Sequence, residues 1–176
     1  PLLTAEPTDY TIFHAFKATT STSGLLYQLG TDLTDGGTTL RVNRATNGLS
    51  VQMGSNSFTI NNVNSTDVYK MVIGYELSTD MFTMRLYNTT TEKLEWFDVH
   101  APMMVHKTSG TPYFLFILNG AYVGNQGAGQ HLYAFKMYTQ HLDELAGTYD
   151  RFMISGTTYT PPTQMTVQVI APASNA

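Results

Sequence analysis

The sequence predicts an all-β protein built as a two-sheet antiparallel β-sandwich. Three observations carry that expectation. Apolar residues alternate with polar ones at a period of two through most of the 176 residues, the signature of half-buried strands. Clusters of Gly, Asn and Asp break the alternation at short intervals, as at 35-DGG-37, 46-TNG-48 and 54-GSN-56, and many short strands at such spacing suit a sandwich. Charged residues make up only 12% of the chain, about half the usual share; Thr, Ser, Asn and Gly take their place.

In chain order, Tyr10, Ile12 and Phe16 share one side of a first strand, and Leu25, Tyr27 and Leu29 one side of a second. Leu40 and Val42 face in while Arg41 and Asn43 face out, followed by Leu49, Val51 and Met53, then Phe58 and Ile60. Tyr69, Met71, Ile73, Tyr75 and Leu77 mark a long strand, with Phe82, Met84 and Leu86 as its hairpin partner across 78-STD-80. Leu94 and Trp96 share a face of the strand that holds the chain's one tryptophan. The run 112-PYFLFIL-118 is apolar on both faces, which places it centrally in a sheet. His131, Tyr133, Phe135 and Met137 alternate again, and His14 and His131 fall on apolar faces. One short helix is expected near the C-terminus, at 141-HLDELAGTYDRF-152, with Leu142, Leu145 and Phe152 as its apolar contacts and Gly147 limiting its length. Met165, Val167 and Val169 form a last strand, and residues 170–176 a loose tail. Without a linker or an internal repeat, residues 1–176 are expected to form a single domain.

Composition excludes several functions. The net charge of −4 lacks the basic footprint that nucleic acid requires. With no cysteine there is no disulfide, thiolate zinc site or cysteine nucleophile. The longest apolar run, Phe114 to Leu118, is far short of the ~20 residues that span a bilayer, so membrane insertion is not expected. PLLTAEPTD at the start lacks the basic and apolar segments of a signal peptide. No nucleophile elbow, phosphate loop or HExxH occurs, and the five histidines lack metal-site spacing. Asn64-Ser65-Thr66 and Asn88-Thr89-Thr90 match the glycosylation pattern, which a Thr-rich chain produces by chance.

The segments 112-PYFLFILNG-120 and 131-HLYAFKMYTQHLDEL-145, with 10-YTIFHAFKATTSTSGLLYQLG-30 and 69-YKMVIGYELSTDMFTMRLYN-88, resemble the concanavalin-A-like, laminin-G-like jelly-roll superfamily. The resemblance covers about 130 residues as a pattern. It implies a jelly-roll fold and a place among phage tail fibres, virion decorations, bacterial surface adhesins or polysaccharide-active enzymes. The composition is most similar to the phage and bacterial-surface members, which points to a virion or extracellular surface. Calcium enters through the same resemblance, because relatives bind it with loop aspartates; Asp32 and Asp35 in 31-TDLTDGG-37 are the counterparts here. Asp-Gly is equally an ordinary turn signal, and no cofactor is required.

The stretch 91-TEKLEWFDVH-100 raises the question of catalysis. Glycosidases set two carboxyl groups roughly 5 Å apart for retention or 6.5–9.5 Å for inversion, and glucanases of this superfamily carry a compact Glu-x-Asp-x-(x)-Glu on one strand face. Glu95 and Asp98 are three apart and so face opposite sides of a regular strand. Glu92 and Asp98 share a face about 20 Å apart at ~3.3 Å per residue, and His100 stands where the pattern has its last Glu. A bulge would be needed to bring Glu95 and Asp98 together. The expectation is therefore a protein that is not an enzyme.

Trp96 is a candidate sugar platform, against the commoner role of a lone strand tryptophan, packing on its same-face neighbour Leu94. The uncharged loop 119-NGAYVGNQGAG-129 offers Asn119, Tyr122, Asn125 and Gln126, amide and phenol groups suited to neutral sugar or peptide recognition. The expected function is a lectin-like adhesin or receptor-binding part of a phage virion, holding a cell-surface glycan through end loops. The alternative is a structural virion decoration or fibre knob whose partners are copies of itself or other virion proteins, which an open edge at 165-MTVQV-169 would favour. A glycoside hydrolase or lyase is a third class, opposed by the carboxylate spacing.

Overall fold

The computed structural model describes residues 9–18, 24–30, 38–45, 48–53, 56–96, 101–102, 114–117, 121–122, 125–126, 130–145, 147, 152 and 167–170. Asp32, Asp35, Asp98, His100 and Asn119 lie outside them, and the tail 171–176 does too. The described strands are β1 (Tyr10–Ala18), β2 (Gly24–Gly30), β3 (Thr38–Ala45), β4 (Gly48–Met53), β5 (Asn56–Asn61), β6 (Tyr69–Glu76), β7 (Met81–Asn88), β8 (Lys93–Trp96), β9 (Ala101–Pro102), β10 (Phe114–Ile117), β11 (Ala121–Tyr122), β12 (Asn125–Gln126), β13 (Gln130–Tyr138) and β14 (Val167–Ile170). A single-turn 3-10 helix covers Leu142–Leu145, where the sequence led us to expect a short helix. No helix among the described residues is long and apolar enough to cross a membrane.

The chain divides into two compact units, one holding residues 18–66 and 101–131, the other 8–17, 67–100 and 132 onward. The first unit carries the five-stranded sheet β10-β2-β3-β4-β5 and the β11–β12 ribbon. Every step in that sheet is antiparallel, with cross-strand rows such as Tyr27–Val42–Val51–Phe58. Tyr27, Leu29, Leu40, Val42, Leu49, Val51 and Ile60 are buried on one face, each a gain of roughly 1.5–3 kcal/mol over exposure. Burial pushes the Tyr27 phenol well above its ordinary range.

Inside this unit Arg44 is 2% exposed. Its Nη1 donates to the carbonyls of Gly48, at 3.0 Å, and Val63, so the buried charge is met by backbone dipoles as burial demands. The β3–β4 turn closes at Gly48, where a Cβ would stand 2.1 Å from the Ile60 carbonyl oxygen. Only glycine allows β5 this close.

The second unit is ordered β14-β13-β1-β6-β7-β8. The β6–β7 hairpin runs in unbroken register from Glu76↔Met81 to Tyr69↔Asn88, and β7 alternates buried and half-buried along its whole length. One face of this sheet is an aromatic field. Tyr10, Tyr75 and Phe82 meet with centroids 4.8 to 6.2 Å apart, and His14 stacks on Phe16 at 4.4 Å. Such pairs add about 0.5–1.5 kcal/mol each beyond area burial. β13 and β14 pair in parallel, Phe135↔Val167 to Tyr138↔Ile170.

The other face of this sheet is buried as well, which the alternation did not show. Phe13, Val72 and Tyr138 form a core cluster there with Leu145 of the 3-10 turn, and Phe152 packs on it. That explains why β6 is buried on both faces although its sequence alternates less cleanly than β7. Lys70 is also on this side, 1% exposed. Its Nζ donates to the Phe152 carbonyl and sits 5.4 Å from the Phe152 ring centroid. Desolvation lowers the Lys70 pKa from its ordinary 10.5.

Three sequence expectations need correction. Leu77 lies in the turn after β6 and is 47% exposed, because the hairpin closes at Glu76↔Met81. His131 is exposed while its neighbour Gln130 is buried, so the buried phase of β13 starts on the other parity and reaches the expected one only at Phe135. β10, expected in the middle of a sheet, stands at the end of the five-stranded order among the described residues.

Two measurements check this packing. Gly48→Ala should cost about 2 kcal/mol through forced displacement of β5, seen as a fall in Tm of roughly 4–8 °C for a chain of this size. For Lys70 the folded pKa is below the unfolded one, so the unfolded state binds more protons between the two values and stability rises with pH there. Wild-type protein should therefore gain stability relative to Lys70→Met as pH climbs toward 10.5; parallel unfolding curves at pH 7 and pH 10.5 would contradict this.

Candidate ligand-binding loop and carboxylate corner

The connection from β10 to β13 is fixed at both ends on one short stretch of β2. Ile117, the last residue of β10, is the register partner of Tyr27. Gln130, the first residue of β13, is 1% exposed and its Nε2 donates to the Leu26 carbonyl at 3.2 Å. β2 irregularly steps past Leu26, with a register shift between Leu25 and Tyr27, and that bulge leaves the Leu26 carbonyl for a side chain to satisfy. Twelve residues, 118-LNGAYVGNQGAG-129, thus leave and return at adjacent residues of a buried strand, the anchoring used by compact functional loops.

Within the connection, β11 and β12 form a two-stranded ribbon in which Tyr122 pairs with Asn125 and Ala121 with Gln126. Three of the four candidate loop residues are therefore brought together on one ribbon, and β12 runs close to β2. The loop carries no charged side chain, so any ligand it holds is met by amide, phenol and backbone groups.

A second polar arrangement, in the other unit, was not anticipated from the sequence. Asn88 at the end of β7 is 2% exposed. Its Nδ2 donates to Asp67 Oδ2 at 2.7 Å and reaches Glu95 Oε1 at 3.5 Å, so one amide stands between two carboxylates. Its Oδ1 accepts from the backbone N–H groups of Thr90 and Thr91, at 2.9 and 3.1 Å, an Asx arrangement that builds the turn into β8. Thr89 and Thr90 tie the same turn to Val68. Glu92 takes a positive φ of 55°. The burial of Asn88 rules it out as a glycosylation acceptor.

β8 carries a bulge at Glu95, while Asp98, the partner considered for it, lies outside the described residues. Leu86 pairs with Trp96 and Tyr87 with Leu94, leaving Glu95 as the extra residue. Leu94 and Trp96 consequently occupy positions opposite residues of different parity, and Leu94 is 38% exposed; the expected same-face packing of that pair is not what the register shows. Through Asn88, Glu95 is joined to Asp67. The signal for this pair was absent from the sequence because Asp67 and Glu95 are 28 positions apart and meet only through the β6–β7 hairpin. Among the described residues no group of three or more His, Asp and Glu is placed to hold a metal ion.

No protein-family model matches the chain, and no curated protein matches it by sequence. Solved structures do. Over 99% of its length the chain is similar to a native heptameric SAP-like pentraxin from Limulus polyphemus, covering 80% of that chain with a TM-score of 0.58 and 13% identity. Over 80% of its length it is similar to the CBM40 of a Ruminococcus gnavus IT-sialidase, solved bound to alpha2,3 sialyllactose, covering 82% of that chain with a TM-score of 0.50 and 12% identity. At this identity the likeness shows the fold: an all-β protein whose two sheets belong to the jelly-roll β-sandwich class.

The structural part of the corner can be separated from its exposed acid by stability. Asn88→Ala removes the buried bond to Asp67 and the Asx acceptor of the turn, at about 1–3 kcal/mol for the buried bond lost. Its unfolding midpoint in urea should fall clearly. Glu95→Gln, at an exposed position, should leave that midpoint unchanged.

Proposed function

We propose that this protein is a non-catalytic, lectin-like module that binds a cell-surface glycan through the 118–129 connection. The observation that carries the reading is the double anchoring of an uncharged loop on β2, at Ile117↔Tyr27 and Gln130→Leu26. A loop held at both ends loses less conformational freedom on binding, and its Tyr, Asn and Gln groups match sugar hydroxyls and C–H faces. The fold likeness to a carbohydrate-binding module solved with a sialylated sugar supports the same class. Trp96 and Asn119 remain candidates for further contact in this reading, and calcium through Asp32 and Asp35 a candidate cofactor. Display on a virion or an extracellular surface, as an adhesin or receptor-binding part, is the setting that the charge-poor, Thr-rich composition suits.

A second reading, assembly rather than ligand binding, is favoured by one observation. Among the described residues β14 ends the strand order of its sheet, and a strand edge is a position at which a neighbouring copy can pair. The two readings are compatible in one oligomeric adhesin.

A glycan array tests the proposal. Wild-type protein should bind a restricted set of surface glycans without releasing sugar, and Tyr122→Ala should weaken binding at least tenfold. Glu95→Gln should bind as wild type. Retained binding in Tyr122→Ala, or sugar release abolished by Glu95→Gln, would overturn the reading. A stable oligomer by sedimentation with no array signal would leave assembly in its place.

A further inference from the structure

Two segments of the chain carry the Asn-x-Ser/Thr pattern of an N-glycan acceptor, Asn64-Ser65-Thr66 and Asn88-Thr89-Thr90. Composition treats them alike, and the fold does not. Asn88 is 2% exposed, and its Nδ2, the atom a sugar would join, donates to Asp67 Oδ2 at 2.7 Å. A glycan there would have to break that bond and carry hydrated sugar into a buried turn, at the cost of stripping its water. Asn64 lies in the connection from β5 to β6 and is exposed, as is Thr66.

The local sequence accounts for that exposure. Val63, just before the motif, is 1% exposed, and its carbonyl accepts from Arg44 Nη1. Asp67, just after it, is 7% exposed and accepts from Asn88. With a buried residue on each side, Asn64, Ser65 and Thr66 form a short knuckle, exposed at its ends and half-buried at Ser65. Within the knuckle Asn64 Oδ1 accepts from the Thr66 N–H at 3.0 Å and from Thr66 Oγ1 at 2.7 Å. Both donors belong to the residue that the pattern requires at its third position. This Asx turn orients the amide plane through its oxygen.

We infer that Asn64 is an acceptor site for an N-linked glycan. Transfer joins Asn64 Nδ2 to the anomeric carbon of an oligosaccharide carried on a polyprenyl diphosphate. The bond from that carbon to the diphosphate oxygen breaks, the lipid diphosphate leaves with the electron pair, and one Nδ2 proton passes to the base of the transferring enzyme. The folded structure contributes room: a sugar on Asn64 stays in water, so folding carries no desolvation cost for it. A Thr-rich chain repeats the pattern by chance, as at Asn88, but chance does not couple it to exposure or aim the threonine hydroxyl at the asparagine. The inference rests on the surface-display part of the proposed function and is independent of the ligand held by the 118–129 loop.

The test is secretion of the full chain from cultured eukaryotic cells behind a cleavable leader. Intact mass is then measured, with peptide mapping after enzymatic release of N-glycans, which leaves each acceptor as Asp. Folded wild-type protein should carry one glycan, at Asn64, with Asn88 unmodified. Asn64→Gln and Thr66→Ala should each cut the glycosylated fraction at least tenfold, whereas Thr66→Ser, which keeps the hydroxyl, should retain it. The unfolding midpoint in urea should be the same before and after glycan release, because the acceptor is exposed. An unmodified Asn64 in the secreted protein, a glycan on Asn88, or secretion obtained only with Asn64→Gln would each overturn the inference. Array binding by protein whose Asn64 is unmodified would sink this site while sustaining the loop, whereas a glycosylated Asn64 with no array signal would do the reverse.

Discussion

Cross-strand register, with its parity of two, is the constraint on which everything else rests. Shifting one strand by a residue exchanges its faces. In the five-stranded sheet a slip of β3 would carry Arg41 into the apolar face and Val42 out of it. The register is held by close approaches rather than by pattern alone. Gly48 admits the Ile60 carbonyl where any side chain would exclude it, and buried Arg44 binds the turn at Gly48 and the segment at Val63 together. Both features specify one pairing and penalise its neighbours.

The same parity explains what was legible in the sequence. β7 alternates without interruption and was readable residue by residue, as were the inward positions of β3, β4 and β6. What escaped were places where parity is broken or where a second layer covers the outer face. Thr11, Phe13 and Ala15 are buried as deeply as Tyr10 and Ile12. Phe13 is covered by Tyr138, Leu145 and Phe152, and Thr11 Oγ1 donates to the Gln140 carbonyl, all from more than a hundred residues away. The bulge at Glu95 has no composition signal, since Leu-Glu-Trp reads as plain alternation. His131 was misplaced for the converse reason: an exposed histidine two residues from a tyrosine imitates an inward face.

The candidate sites show the same division. The 118–129 loop could be singled out from composition because amides, glycines and a tyrosine without charge are unusual in one stretch. Its anchoring by Gln130 could not, because that bond depends on a bulge in β2 a hundred residues earlier. The Asp67–Asn88–Glu95 corner likewise needed the hairpin. Its one amide between two carboxylates, together with turn contacts on the opposite side of Asn88, accounts for it as a structural clasp.

Ligand recognition on this account belongs to the unit that holds the five-stranded sheet, through a loop seated on β2. Backbone hydrogen exchange, followed by mass spectrometry with and without the tightest glycan from the array, tests this most directly. Slowed exchange in peptides spanning 24–30 and 117–130 is the result the account predicts. Slowed exchange confined to peptides within 67–98 would place the ligand on the carboxylate corner and contradict it.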